Sequence, residues 1–292
     1  MKIEQKRIAA LRVDKPSIFS IDTTGGNYQL IADNIGGTPD GIQIDKERGL
    51  IYWTNMGENF DADDGSVEAI NLDGSNRRFL AGNGAFTTPK QLYLDADQDL
   101  LYWCDREGGA VIRSNTDGSG LIRLIDRCDE VGGESAIFNQ CVGIAVDHAN
   151  HKILWTQKGP AKGGKGRIFC TGLDIPVGET AIDRVDIKVL LKDLPEPIDL
   201  EIDAENALLY WTDRGAPPYG NSLNRARLTP EGLLDPLVIC VGFAEAIGLA
   251  VDVAANVAFV ADLAGQIWHI DLETGKSEVI FKLGIITGIA LY

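Results

Sequence analysis

Positive charge is scarce in this sequence of 292 residues. Lys and Arg together number 27 against 43 Asp and Glu, which gives a formal net charge of −16 at neutral pH. Proteins that bind nucleic acids or anionic membranes do so through clustered Lys and Arg side chains that displace counterions. We therefore expect neither a nucleic acid nor a membrane among the partners of this chain.

Long apolar stretches are also missing. No stretch approaches the roughly 18 apolar residues that a membrane-spanning helix requires. The first residues, MKIEQKRIAAL, have neither the apolar segment nor the cleavage site of a signal peptide. The five cysteines are odd in number and form no CxxC pair, which is typical of reduced thiols. These features together predict a cytoplasmic protein.

The usual patterns of catalytic and metal-binding side chains are lacking as well. The chain has three histidines, two of which, His148 and His151, fall in one short polar turn. No Cys and His residues have zinc-binding spacing, and no Ser, His and Asp form a recognisable catalytic set. We therefore expect no metal site and no cofactor.

A five-residue unit recurs along the chain. It occurs as IYWTN, LYWCD, ILWTQ, LYWTD and a divergent AFVAD, at 51–55, 101–105, 153–157, 209–213 and 258–262. An alternating apolar segment precedes each copy and closes with an Asp seven residues before the unit's second position: Asp45, Asp95, Asp147, Asp203 and Asp252. Intervals of 50, 52, 56 and 49 residues between these Asp residues indicate a repeat protein such as a propeller or a solenoid.

Each repeat has the turn chemistry of four antiparallel strands. Asp-Gly and Thr-Gly pairs, as in LDGS at 72–75 and TDGS at 116–119, favour tight hairpins between apolar alternations. Four antiparallel strands are one propeller blade. The last segment, GIALY at 288–292, supplies the inner strand that residues 7–33 lack. We predict an all-β, six-bladed β-propeller formed by the whole chain, with blades at 39–80, 90–125, 141–192, 197–241, 246–282, and 287–292 plus 7–33.

The repeated units resemble the YWTD repeats of the low-density-lipoprotein-receptor class B family. The match rests on YWTN, YWCD, LWTQ and YWTD, on the preceding GIxxD-like strand and on the LDGS turn, and it covers nearly the whole chain. The resemblance implies a six-bladed propeller. Members of that family in receptors are protein-binding modules, so it also implies a protein partner as one alternative.

The repeated residues themselves are expected to be structural. Tyr and Trp rings would be buried between blades with their polar atoms paired, while the Asp and Thr of each repeat would hydrogen-bond the backbone. The repeats differ in the loops between their second and third strands and in the connections between blades. Both sets emerge on one face, here called the loop face; the short turns form the opposite turn face. Loops on a rigid scaffold carry function, so we predict the site at the loop-face end of the channel.

The candidate residues on this face are of two kinds, hydrogen-bond donors and residues that would line a substrate pocket. Four are predicted as catalytic hydrogen-bond donors: Arg106, Arg214, Asn55 and Gln157. Ten are predicted to bind substrate, either from the loops or from inner strands that break the repeat towards the axis: Phe60, Phe86, Gln91, Asp105, Phe138, Asp199, Asp213, Tyr219, Phe243 and Asp262. An apolar pocket with a few placed polar groups is the usual composition of a small-molecule site.

Two functions from different classes remain open. The first is an enzyme of secondary metabolism that acts without a cofactor on an apolar small molecule by cyclisation or cycloaddition. In its architecture the chain is similar to the propeller hetero-Diels-Alderases of fungal tropolone-sesquiterpenoid pathways, and such a reaction needs only shape, desolvation and a donor to a carbonyl. The second is a protein-binding module that uses the same loop face. A strictosidine-synthase-like or lactonase-like propeller is a third, lower choice.

Overall fold

The computed structural model describes residues 6–127 and 134–292. These residues form six four-stranded antiparallel sheets arranged as blades around an axis. The predicted six-bladed propeller is thus confirmed. Among the described residues there is a single short helix, α1 (Glu134–Phe138), and no helix is long and apolar enough to cross a membrane.

The strands follow the repeat, and each blade is built outwards from the axis. The chain begins with β1 (Arg7–Arg12), β2 (Ser17–Asp22) and β3 (Gln29–Ala32), the outer strands of blade 6. Blade 1 contains β4 (Pro39–Asp45), β5 (Leu50–Asn55), β6 (Ser66–Asn71) and β7 (Arg78–Ala81). Blade 2 contains β8 (Pro89–Asp95), β9 (Leu100–Asp105), β10 (Ala110–Asn115) and β11 (Ile122–Asp126).

The remaining blades repeat this order. Blade 3 contains β12 (Cys141–Asp147), β13 (Lys152–Gln157), β14 (Gly166–Gly172) and β15 (Lys188–Leu194). Blade 4 contains β16 (Pro197–Asp203), β17 (Leu208–Asp213), β18 (Ser222–Thr229) and β19 (Gly232–Val241). Blade 5 contains β20 (Ala246–Asp252), β21 (Val257–Asp262), β22 (Gln266–Asp271) and β23 (Ser277–Lys282), and β24 (Ile286–Leu291) completes blade 6.

The ring is closed by pairing between the two ends of the chain. Strand β24 is antiparallel to β1, with Ile8 opposite Leu291 and Ala10 opposite Ile289. The arrangement is the expected one, with one C-terminal strand beside three N-terminal strands. Because the last blade contains both ends, no blade interface is left open.

The aromatic residues of the repeat fill the spaces between blades. Trp53, Trp103 and Trp155 are fully buried in separate clusters of apolar side chains. The expectation that their polar atoms would be paired is wrong for these rings, because their indole Nε1 atoms have no hydrogen-bond partner among the described residues. The ring faces are instead packed, as in the edge-on contact of Phe86 with Trp103 at 5.4 Å between centroids. These three Trp residues therefore stabilise the blade packing mainly through the burial of their rings.

The Thr of the repeated unit links neighbouring blades. Thr156 Oγ1 accepts a hydrogen bond from the Gly143 amide at 2.7 Å in its own blade and donates to the Ile198 carbonyl at 2.8 Å in the next blade. Thr54 and Thr212 make the equivalent pairs of bonds. Cys104 replaces Thr in blade 2 and makes a 3.3 Å contact with a carbonyl of blade 3. The expected bonding of the Thr to the backbone is present, and it crosses the blade boundary.

The Asp that closes each inner strand caps the following turn. Asp45, Asp147 and Asp203 each accept a hydrogen bond from the amide three residues later, at 2.8, 3.1 and 3.0 Å. This local bond stabilises the turn without any partner from another blade. Cys104, Cys141, Cys170 and Cys240 are free thiols, and Cys128 lies outside the described residues.

The substitution Thr156→Val is expected to lower the free energy of unfolding by about 1–3 kcal/mol. Valine keeps the shape but leaves the buried Gly143 amide and Ile198 carbonyl without partners. Urea unfolding measures the change. Thr156→Ser, which keeps the hydroxyl, is the control and should lose much less; equal losses in both variants would mean that the methyl group, not the hydroxyl, stabilises the blade boundary.

Candidate functional site

The residues that end the repeated units hold the connections between blades. The Asp105 carboxylate accepts hydrogen bonds from the amides of Thr87 and Thr88 at 3.0 and 2.7 Å. Asp213 accepts the Glu196 amide at 2.9 Å, and Asp262 accepts the Ala244 amide at 3.1 Å. All three carboxylates are buried, and burial raises the pKa of Asp213 to about 6 despite these donors. Their oxygens bond the backbone of the connections, and Asp262 also accepts from the Gln266 and Trp268 side chains.

Asn55 has the same role, and Gln157 acts through Arg167, which also donates to the Phe138 carbonyl at 2.7 Å. Asn55 is buried, accepts the Thr38 amide at 2.9 Å and donates to the Gly36 carbonyl at 2.9 Å. Gln157 is buried and accepts from Arg167 at 2.7 Å. The geometry therefore does not bring these two predicted donors to the channel axis. The variation at the end of each unit is a variation in how the loops are anchored.

The residue that directly follows each of the five repeated units lies at the loop-face end of the channel. These residues are Met56, Arg106, Lys158, Arg214 and Leu263. Met56 Sδ lies 3.3 Å from the Lys90 ammonium. Arg106 and Arg214 both lie near enough to Lys90 and Lys158 to lower the pKa of each. Leu263 packs with three residues from the inner strands. Here the term mouth denotes these five residues together with the second residues of the inner strands.

One half of the mouth is charged. The Lys90 ammonium, 7% exposed, donates to Asp40 at 2.5 Å, and Gln91 donates to the same carboxylate at 3.3 Å. Burial lowers the pKa of Lys90 to about 8; Asp40 opposes that shift, and the two nearby guanidinium groups add to it. An amine in this state changes charge close to neutral pH, which is a property of many functional sites.

Two arginines cover the charged half from the solvent side. Arg106 pairs with Glu107 at 2.6 Å, and its guanidinium lies 5.3 Å from the centre of the Phe60 ring. Arg214 pairs with Glu196 at 2.8 Å, and Lys158 lies 3.8 Å from the same carboxylate oxygen. Four cations thus share the space with three carboxylates.

The other half of the mouth is apolar. Val142, Ile198 and Ile247, each the second residue of its inner strand, form a buried cluster against which Leu263 packs. Asp199 follows Ile198 and accepts the amides of Leu200 and Leu249, both at 2.9 Å. Burial raises the pKa of the Asp199 carboxyl well above its usual range. The mouth therefore has a hydrocarbon side and a donor side.

The predicted aromatic residues separate into buried and exposed groups. Phe86 and Phe243 are buried against Trp103 and Trp268, where they stabilise blade packing. The Arg167 guanidinium lies over the Phe138 ring, and its central carbon is 5.8 Å from the ring centre. Phe60 is 40% exposed and Tyr219 is 67% exposed. Tyr219 borders a groove of about 410 Å³ that also includes Leu194 and Pro236, away from the axis.

Several mouth residues were missed from the sequence, chiefly Asp40, Lys90, Lys158 and Glu196. The signal that would have found Lys158 is the residue after each unit, which reads Met, Arg, Lys, Arg and Leu at positions 56, 106, 158, 214 and 263. Lys90 directly precedes Gln91, which stands where four other inner strands have glycine. Within the described residues, no group of three or more His, Cys, Asp or Glu side chains is arranged to hold a metal ion.

Comparison with known proteins places the chain among fungal relatives. No protein-family model matches it. It is 42% identical over 286 residues to a Pyricularia oryzae protein named low-density lipoprotein receptor-related protein 1, covering 94% of this chain and 91% of the relative. It is 40% identical over 257 residues to a Cochliobolus heterostrophus protein named 3-hydroxyacyl-CoA dehydrogenase-like protein LAM1. That alignment covers 84% of this chain and 54% of the relative, so the chain spans about half the length of LAM1.

Solved structures share the fold at low sequence identity. A chain of a nidogen/laminin complex superimposes with a TM-score of 0.77 at 17% identity, covering 98% of both chains. A gluconolactonase from Xanthomonas campestris superimposes with a TM-score of 0.67 at 16% identity, covering 96% of this chain and 89% of the other. At these identities the likeness concerns the propeller fold.

The substitution Asp40→Asn is expected to lower the free energy of unfolding by about 3–5 kcal/mol at pH 6–7, because it leaves the buried Lys90 ammonium without its counter-charge. The folded-state pKa of Lys90, about 8, is below its ordinary 10.5, so the folded protein releases this proton first. The effect of Lys90 on the free energy of unfolding therefore becomes more favourable as the pH rises from about 8 to 10.5. The Asn variant releases the proton at still lower pH, so its deficit should shrink as the pH rises towards 8.

Urea unfolding at several pH values checks this expectation. Asp235→Asn is the matched control, since it breaks the exposed pair with Arg227 and should change stability by only about 0–1 kcal/mol. A deficit for Asp40→Asn that is as small as the control's, or that is constant from pH 6 to 8, would contradict the assignment.

Proposed function

Because the chain belongs to the family of the Pyricularia oryzae protein named low-density lipoprotein receptor-related protein 1, a family of YWTD-type propellers, we propose that its mouth binds a small, oxygen-rich organic molecule and promotes its cyclisation or cycloaddition. The reaction class is that of a hetero-Diels-Alderase of secondary metabolism. The proposal takes its support from the two chemically different halves of the mouth.

The observation that carries the proposal is the excess of positive charge at the mouth. Lys90, Lys158, Arg106 and Arg214 converge there against the carboxylates of Asp40, Glu107 and Glu196, in a chain whose net charge is −16. Local cations against an acidic background favour a ligand that carries a negative charge or a partly negative oxygen. Such a ligand would be drawn to this end of the channel.

A hetero-Diels-Alder reaction suits donors of this kind. A four-atom C=C–C=O component adds to a two-carbon alkene, so that two σ bonds form, the π bonds shift, and no atom or electron is taken up or released. Hydrogen bonds to the carbonyl oxygen stabilise the negative charge that develops on it in the transition state. Arg106 and Arg214, the more exposed cations, are the proposed donors.

The apolar half completes the proposed site. Ile198, Ile247 and Leu263 offer a hydrocarbon surface that would hold the alkene component beside the polarised carbonyl. Holding two components in reacting geometry is itself a large part of catalysis in reactions of this class. Lys90 and Lys158 are proposed to act through their charge from beneath the arginines.

A protein-binding function on the same face is the second candidate. Phe60, Ile137 and Tyr219 are exposed there, and aromatic side chains of this kind often anchor protein interfaces. The two candidates make different demands on the mouth, because a protein partner would bind the exposed aromatic residues, whereas a small molecule would depend on the arginines.

Tropolone, an acidic seven-membered ring ketone, is expected to bind to the wild-type chain at pH 8 and to bind at least tenfold more weakly to the double variant Arg106→Gln/Arg214→Gln. Two charge-assisted hydrogen bonds are lost in that variant, and each contributes roughly 1.5–3 kcal/mol. Isothermal titration calorimetry measures the affinity.

The controls separate charge at the mouth from charge elsewhere. Arg227→Gln removes an exposed arginine of β18 and should leave tropolone binding unchanged. 2-Methoxytropone, which has the ring but no acidic hydroxyl, should bind more weakly than tropolone to the wild type. Equal affinities of tropolone for the wild type and the double variant would reject the arginines as donors. The second candidate would be favoured if the Phe60→Ala/Tyr219→Ala variant lost capture of a protein partner while the arginine double variant retained it.

A further inference from the structure

A small cavity opens at the other end of the molecule, on the turn face. It has a volume of about 150 Å³ and lies where the inner strands of blades 2, 3 and 4 meet the short turns. Most of its wall is apolar, formed by small and branched side chains. The polar residues that line it are Tyr93, Asp147, His148, Asn150 and Glu201. This group is called the turn-face cavity below.

Among the described residues that line the cavity, Glu201 is the carboxylate that has neither a cation nor a hydrogen-bond donor beside it. It occupies the fifth position of β16, and none of the described residues lining the cavity is Lys or Arg. Glu201 is partly exposed, and burial of the rest of its side chain raises its pKa to about 7. No hydrogen bond or ion pair of its carboxylate is found within the described part of the chain. Asp147, in contrast, is fully engaged with the amide and side chain of Asn150.

Aromatic groups form part of the cavity wall. The Tyr93 and His148 rings lie 6.4 Å apart between centroids, and His148 Nε2 is 3.4 Å from both the Tyr93 hydroxyl and an Asp95 carboxylate oxygen. The face of an aromatic ring attracts cations. Carboxylate and ring thus favour the same sign of charge on any occupant.

We propose that the turn-face cavity binds a small organic cation, a primary ammonium with about six non-hydrogen atoms. The ammonium would pair with Glu201 and contact the Tyr93 ring, while its hydrocarbon part would lie against Val146, Ile202 and Leu228. The size follows from the volume, because an apolar cavity of about 150 Å³ accommodates benzene.

The proposed site is separate from the mouth. It lies on the opposite face, it shares no side chain with the charged half of the mouth, and it selects the opposite charge. Its test therefore does not depend on the activity proposed above.

Isopentylamine is the probe, and 3-methylbutan-1-ol is its neutral counterpart of the same shape. Calorimetric titration at pH 8 and constant ionic strength is expected to show at least tenfold tighter binding of the amine. Glu201→Gln should remove that preference while leaving alcohol binding unchanged. Glu205→Gln removes an exposed carboxylate from the neighbouring turn and should change neither affinity.

A second variant keeps the test decisive if Glu201→Gln folds poorly. Ala204 is exposed at the rim of the cavity, so Ala204→Phe should block entry without disturbing the core, and both probes should then lose affinity. Equal affinities of amine and alcohol for the wild type, or amine binding that persists in both variants, would overturn the proposal.

The pH dependence supplies a further readout. The titratable or charged groups that face Glu201 are Asp199 on its own strand, Tyr93 on β8, and Asp147 and His148 at the end of β12. Between pH 8 and pH 6 the ionised fraction of Glu201 falls about tenfold for a pKa of about 7, so amine affinity should fall about tenfold. The dependence should persist in His148→Gln and vanish in Glu201→Gln; the reverse pattern would assign the effect to the imidazole.

Discussion

One hydroxyl group in three of the six blades determines how the inner strands meet. Thr54, Thr156 and Thr212 each accept an amide of their own inner strand and donate to a carbonyl of the next one. Both bonds are buried, so neither partner can exchange the threonine for water, and loss of the hydroxyl leaves two unpaired groups. The carbonyl that receives the bond belongs to the second residue of the neighbouring inner strand. This constraint therefore fixes the positions of Lys90, Ile198 and Ile247, which surround the axis at the loop face.

The fold could be predicted from the sequence because its signals are local and repeated. Spacing between Asp residues, turn pairs such as Asp-Gly, and alternating apolar positions all agree across five copies. The closing of the ring was also predictable, since one end of the chain lacks the strand that the other end supplies. The indole groups of Trp53, Trp103 and Trp155 departed from the expected pairing, because ring burial there outweighs the missing hydrogen bond of each Nε1.

The candidate site was predicted less well, for a reason that lies in the inner strands. A register shift recurs near the start of all six, as between Pro39 and Ile42 and between Pro197 and Leu200. Simple alternation does not show which side chains face the axis once a strand is bulged. Asn55 and Asp105 end second strands, and their side chains bond the backbone of the connections, whereas the following residues, Met56 and Arg106, reach the mouth. Arg106 and Arg214 were identified, and the lysines beneath them were not.

The channel has opposite charge preferences at its two ends. At the loop face, Lys90 and Lys158 are buried with fewer carboxylates than cations around them, and burial of such groups costs stability unless they are paired. At the turn face, Glu201 is a carboxylate without a partner among the described residues, in a cavity whose wall is mostly apolar. Apolar side chains in either place would give a more stable propeller, because the blade interfaces already supply the core. A scaffold whose stability rests on its repeats can thus hold a costly polar cluster at each end of its channel. Under the two proposals above, the sign of each cluster sets the kind of molecule that its end of the channel receives.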